Sequence, residues 1–150
     1  MKLSTRSTYS LRALLELALA EGRGPLSAAA IAKRQELSVA YLEQLLHRLK
    51  RRGLIHSVRG PKGGYVLAKT PEAITVADVI RGLEGTNGTR HAAHANGHAE
   101  RHRAHRIADV VWRCVEERLV RSLEGVNLEA LRNAVHDEDV AWDHRYVFHI

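Results

Sequence analysis

Five histidines crowd one stretch of the chain: His91, His94, His98, His102 and His105. Neutral imidazole binds Zn, Cu, Ni and Fe, and three or more imidazoles complete a metal site. His91, His98 and His105 recur at a seven-residue interval, with His94 and His102 between them as alternates. If the stretch is helical, the i, i+3 and i, i+4 pairs His94/His98, His98/His102 and His102/His105 share a face. The bland alternative is a solvated loop whose histidines hold nothing, or titrate together near neutral pH. No carboxylate and nucleophile nearby complete a catalytic set, so a metal-dependent enzyme is disfavoured and the chain reads as a non-enzyme.

A second constellation suits nucleic acid. Ser38, Tyr41, Glu43 and Gln44 are polar groups at the start of an apolar-periodic segment, where a helix entering a major groove presents side chains to base edges. Glutamate accepts from a cytosine amino group, and glutamine pairs with adenine. Lys50-Arg51-Arg52 follow at the helix end, where cations offset the negative terminus and reach phosphate. Further on, Arg59-Gly60-Pro61-Lys62-Gly63-Gly64 is a basic glycine-rich turn, and an arginine at such a tip can enter the minor groove.

These residues need a frame, and the hydrophobic pattern supplies one. Tyr9 to Ala20 carries Leu11, Leu14, Leu15, Ala18 and Leu19 at amphipathic helical spacing, ended by Gly22-Arg23-Gly24-Pro25. Ser27 caps a short helix through Ile31 and Arg34. After the link Gln35-Glu36-Leu37, Ser38 caps a second helix carrying Leu42, Leu45, Leu46 and Leu49 as its inward face, to Gly53. Leu54–Val58 and Tyr65–Ala68 read as strands of a hairpin around the basic turn. A helix, a helix-turn-helix and a hairpin in that order make a winged helix.

Beyond the hairpin, Thr75 caps a helix through Val76, Val79, Ile80 and Leu83. The apolar pattern then disappears from Gly85 to Arg106. It returns in a long helix, about 107–123, with Ile107, Val110, Val111, Cys114, Leu119 and Leu123 broadly along one side. Asn127 caps a last short helix through Leu131, and the tail after His136 has no assignable pattern. The expected class is mostly α with a small β-hairpin. Its organisation is a winged helix-turn-helix unit suited to DNA at 1–70, a connecting helix and His-rich loop at 71–106, a long helix and short terminal helix at 107–135, and a tail at 136–150.

Charge follows the same division. The 150-residue chain carries +6, but residues 1–70 hold 13 Lys/Arg against 4 acidic residues (+9), and the rest 10 against 13 (−3). A basic half joined to a mildly acidic one suits a protein that meets a polyanion at one end. The chain opens without a leader-like segment, and no apolar run reaches the ~18 residues of a membrane span. Its one cysteine, Cys114, cannot form an internal disulfide, which suits the reducing cytoplasm. Packing on the apolar side of the long helix is the expected role of that thiol, with an intermolecular disulfide as the alternative.

Met1-Lys2-Leu3-Ser4-Thr5, Tyr41-Leu42-Glu43-Gln44-Leu45-Leu46, Ser57-Val58-Arg59-Gly60-Pro61-Lys62-Gly63-Gly64-Tyr65 and Ile74-Thr75-Val76-Ala77-Asp78-Val79-Ile80 with Glu84-Gly85 together resemble the Rrf2 family of bacterial transcription regulators. The likeness is strong over residues 1–85 and looser over 107–133. It implies a homodimer whose long helices cross, bound to double-stranded, palindromic DNA. It also implies base reading at Tyr41, Glu43 and Gln44 and minor-groove contact by Arg59. Many members hold an iron–sulfur cluster on three cysteines between the wing unit and the long helix. This sequence has no cysteine there, and His105 falls where the third would precede the long helix, so the conventional cluster is not supported. The leading expectation is a dimeric regulator whose 86–106 loop senses metal, redox or iron–sulfur status. The alternative is an interaction protein whose C-terminal half binds a partner enzyme, with DNA binding secondary.

Overall fold

A computed structural model describes residues 4–84 and 99–147. Its elements run α1 (Thr5–Leu19), α2 (Ala28–Gln35), α3 (Val39–Arg51), β1 (Ile55–Val58), β2 (Gly64–Leu67), a 3-10 turn (Pro71–Ala73), α4 (Val76–Glu84), α5 (Ala99–Glu124) and α6 (Leu128–Val147).

The first three helices begin on serine. Ser4, Ser27 and Ser38 each sit in extended backbone and accept from the amide three residues on, which satisfies one of the otherwise orphaned N–H groups. α2 ends on Glu36, a non-glycine residue in left-handed backbone (φ 55°), which turns the chain at once toward α3. α4 begins with a reciprocal cap. The Asp78 amide donates to Thr75 Oγ1 and the Thr75 amide to Asp78 Oδ2, both at 3.1 Å.

Leu14 of α1, Ile31 of α2, Leu42, Leu46 and Leu49 of α3, Ile55 of β1, Ile74, Val79 of α4 and Leu128 of α6 form one core with no exposed surface. Each buried leucine contributes about 1.5–3 kcal/mol relative to exposure. α3 is thus clamped along its whole length, and Leu42, Leu45, Leu46 and Leu49 all face inward as their spacing predicts.

The hairpin is antiparallel, with Ile55 opposite Leu67 and Val58 opposite Gly64. Leu26, just before α2, pairs with Tyr65 through two backbone bonds of 3.1 and 2.8 Å, so a third segment edges the sheet. A second stitch joins the C-terminal helices to the core. Thr75 bridges Asn127, the Val76 amide donates to the Val126 carbonyl at 2.8 Å, and the Leu128 amide to that of Ile74 at 3.0 Å. Arg132 of α6 donates to the Ala18 carbonyl and pairs with Glu21 and Glu129, fastening α6 to the end of α1. In the 3-10 turn the Glu72 carboxyl is held below the usual carboxylate range, first by a backbone amide bond and then by the Thr70 hydroxyl.

Several boundaries differ from expectation. α1 starts at Thr5 rather than Tyr9, because the Ser4 cap precedes the apolar repeat. α5 begins at Ala99, so the expected 86–106 loop loses its last residues to helix. That stretch has little apolar signal, but Ala99, Glu100, Arg101 and Ala104 are strong helix formers. The largest correction is at the C-terminus, where the expected short helix and unassigned tail are one helix, Leu128–Val147. It contains neither glycine nor proline to stop it.

Candidate nucleic-acid interface

Glu43 and Gln44 lie exposed on the side of α3 opposite its four buried leucines. The outward positions at helical spacing are Ala40, Glu43, Gln44, His47, Arg48 and Arg51, all exposed. They wall an open groove of about 840 Å³ whose far side is Gly82 and Leu83 of α4. The face offers an acceptor, an amide, an imidazole and two guanidiniums, which is a chemistry for base edges and phosphates together.

The neighbouring candidates have more constrained surroundings. Ser38 is exposed, but its hydroxyl accepts from the Tyr41 amide at 3.3 Å, so it orients the first turn of α3. Tyr41 is half-buried and meets Tyr9 of α1 edge to face, with ring centroids 6.1 Å apart, and the Arg12 guanidinium lies 5.2 Å from the Tyr9 ring centre. The Lys50 ammonium donates to Ser57 Oγ on β1 at 2.7 Å, so it braces the hairpin. Arg51 is exposed in the groove wall. Arg52 closes α3, and an added Cβ on Gly82 would sit 3.4 Å from the Arg52 side chain, so glycine there lets the arginine stem lie across α4.

At the wing tip Arg59 and Lys62 are both exposed. The tip is tight: the Gly63 amide donates to the Gly60 carbonyl at 2.9 Å, and Gly60 adopts φ 114°. Gly63 and Gly64 are packed rather than presented. A Cβ on Gly63 would fall 2.3 Å from the Val58 carbonyl oxygen, and one on Gly64 2.3 Å from that of Leu26. Glycine at these two positions closes the hairpin and lets the Leu26 segment dock, leaving Arg59 and Lys62 as the charged groups of the tip.

Two residues escaped the sequence reading. His47 and Arg48 share the outward face with Glu43, Gln44 and Arg51. Their spacing from Glu43 and Gln44, one turn on, was signal enough to find them.

The signal-input candidates are only partly within view. His91, His94 and His98 lie outside the described residues, while His102 and His105 belong to the first turns of α5. Among the described residues no cluster of three His, Cys, Asp or Glu could hold a metal. Cys114 is exposed on α5, not packed as expected, beside the exposed Ile107, Val110, Val111 and Val115. It is the one thiol of the chain. A three-thiolate cluster therefore does not fit this donor set. No helix among the described residues is long and apolar enough to cross a membrane.

Comparison with known proteins gives the family of this fold. The family profile described as Rrf2, iron-dependent transcriptional regulator, matches residues 3–134. The HTH-type transcriptional regulator IscR of Cereibacter sphaeroides is 43% identical over 115 residues, covering 75% of this chain and 74% of that one. Among solved structures, T. potens IscR aligns with a TM-score of 0.72 at 36% identity, covering 90% of this chain and 88% of its own. CymR, the global cysteine regulator of B. subtilis, aligns with a TM-score of 0.65 at 39% identity over 89% of this chain and 98% of its own.

Proposed function

The chain belongs to the Rrf2 family of transcriptional regulators, and on that footing we propose that it docks as a homodimer on palindromic duplex DNA, α3 in the major groove and the wing tip at the minor groove. The observation that carries this docking is the outward face of α3. Glu43 and Gln44 stand exposed opposite four buried leucines, and the same helix is tied by Lys50 to the strand that leads to Arg59.

Direct readout falls to Glu43 and Gln44, with Tyr41 beside them. Phosphate positioning falls to Arg51 and Lys62, and minor-groove insertion to Arg59. Ser38, Gly63 and Gly64 shape this surface, and Lys50 and Arg52 hold it to the wing and to α4.

The α5 stripe of Ile107, Val110, Val111 and Val115, each more than two-fifths exposed, supplies the seam between the two copies. The protein acts in the cytoplasm, where bacterial DNA lies. Its input enters between α4 and α5, where histidines take the place of thiols.

Selection of bound duplexes from a randomised library, followed by salt titration, tests the docking. The Glu43→Ala/Arg59→Ala double variant is expected to lose sequence-specific binding. Unchanged binding by that variant removes these contacts from the interface.

A further inference from the structure

His47 sits at the middle of the outward face of α3, flanked along the helix by Gln44 and Arg51 at three and four residues. Among the described residues its imidazole has no hydrogen-bond or ion-pair partner, and it is not needed for packing, since the inward face is the four leucines. We infer that His47 is a third base-reading residue of α3, donating from its imidazole N–H to the N7/O6 edge of a guanine. The inference rests on the reading of α3 as the major-groove helix.

Reach and chemistry both favour a base edge over the backbone. From Glu43 to His47 the helix rises about 6 Å, close to two base-pair steps of about 3.4 Å, so the imidazole falls over a different pair from the one Glu43 reads. Arg48 and Arg51 occupy the flanks of the same groove, and their longer cationic side chains suit the phosphates at its rim. A neutral imidazole keeps one N–H donor and one acceptor, and the guanine edge in the major groove presents two acceptors.

The test uses the full chain and a randomised duplex library, with wild type, Glu43→Ala and His47→Ala selected in parallel. Wild type is expected to enrich a guanine in each half-site that His47→Ala no longer prefers, a loss of about five-fold at that pair and none elsewhere. Glu43→Ala should alter a different pair. Replacing that guanine by 7-deazaguanine should weaken wild type and leave His47→Ala unaffected, and the salt dependence of both proteins should match. His47 is exposed, so thermal melts of the variant should overlay those of wild type. Uniform weakening across sequences with a shallower salt slope would make His47 a phosphate contact and overturn the inference, as would an unchanged selection profile. A wild-type protein that enriches no sequence overturns the major-groove reading itself, and the inference with it.

Discussion

Lys50 and Ser57 meet through a 2.7 Å hydrogen bond that joins the last turn of α3 to the first strand of the wing. The bond ties the two surfaces proposed to approach DNA through a side chain whose charge would otherwise look free for phosphate. Ser57→Ala is expected to lower affinity for a selected duplex two- to five-fold, as the loss of one exposed hydrogen bond of about 0.5–1 kcal/mol implies, with no change in salt slope. Arg51→Ala should instead reduce the slope by about 0.9, one phosphate contact. Anisotropy titrations at several salt concentrations separate the two, and a reduced slope for Ser57→Ala would show that Lys50 was the phosphate contact after all.

Gly64→Ala should damage the wing. The added methyl falls 2.3 Å from the Leu26 carbonyl oxygen, and the backbone there has φ 153°, so the clash is with main chain that cannot swing away. A stability loss of about 2 kcal/mol is expected, together with loss of the Leu26–Tyr65 pairing. Chemical denaturation measures the first and amide exchange at Leu26 and Tyr65 the second. A variant with wild-type stability and protection contradicts this account of the glycine.

Val111→Asp should separate the copies while leaving each one folded. Val111 is 54% exposed on α5, so the substitution costs the isolated chain little, but it buries an unpaired carboxylate at a seam between two such helices. The dimer dissociation constant is expected to rise about 100-fold or more, read by analytical ultracentrifugation, with helicity retained. A variant that still sediments as a dimer would move the seam elsewhere.

Iron and sulfide supplied to the purified protein should not assemble a stoichiometric cluster, because one thiol per chain cannot provide three ligands. Acid-labile sulfide well below one cluster per chain is the expected reading. Zinc or iron retained by tag-free protein should fall when His91, His98 and His105 are replaced together. Retained metal unchanged by that replacement rejects the ligand set.

What the sequence disclosed, and what it hid, follows from where the signal resides. The winged helix was legible because it rests on local rules: serine caps, leucines at helical spacing, and glycines bounding a basic turn. Glu43, Gln44 and Arg59 followed from their places in that frame. The bond from Lys50 to Ser57 was not legible, because its partner lies across a chain reversal that spacing does not reveal. The packing of Gly64 was hidden because its neighbour Leu26 is remote in sequence. Cys114 was expected to be packed because its stripe is apolar, and an apolar stripe does not say whether its cover comes from the same chain or another. The start of α5 and the length of α6 escaped notice because polar helices carry propensity without periodicity.

The stitch between Thr75 and Asn127 makes residues 76–126 a closed circuit: α4 leads out, α5 leads back, and backbone bonds lock the two ends to the core. Residues 85–98 join the end of α4 to the start of α5 in sequence. Between ends fixed in this way, each doubling of a connection's length costs only about 0.6 kcal/mol of closure entropy. On the proposed reading, the signal input and the DNA-binding surface are then exchangeable parts. A chimera carrying a thiol-bearing segment at 85–98 should answer a different stimulus yet select the same operator, and the selected sequence is the measure of how far that separation extends.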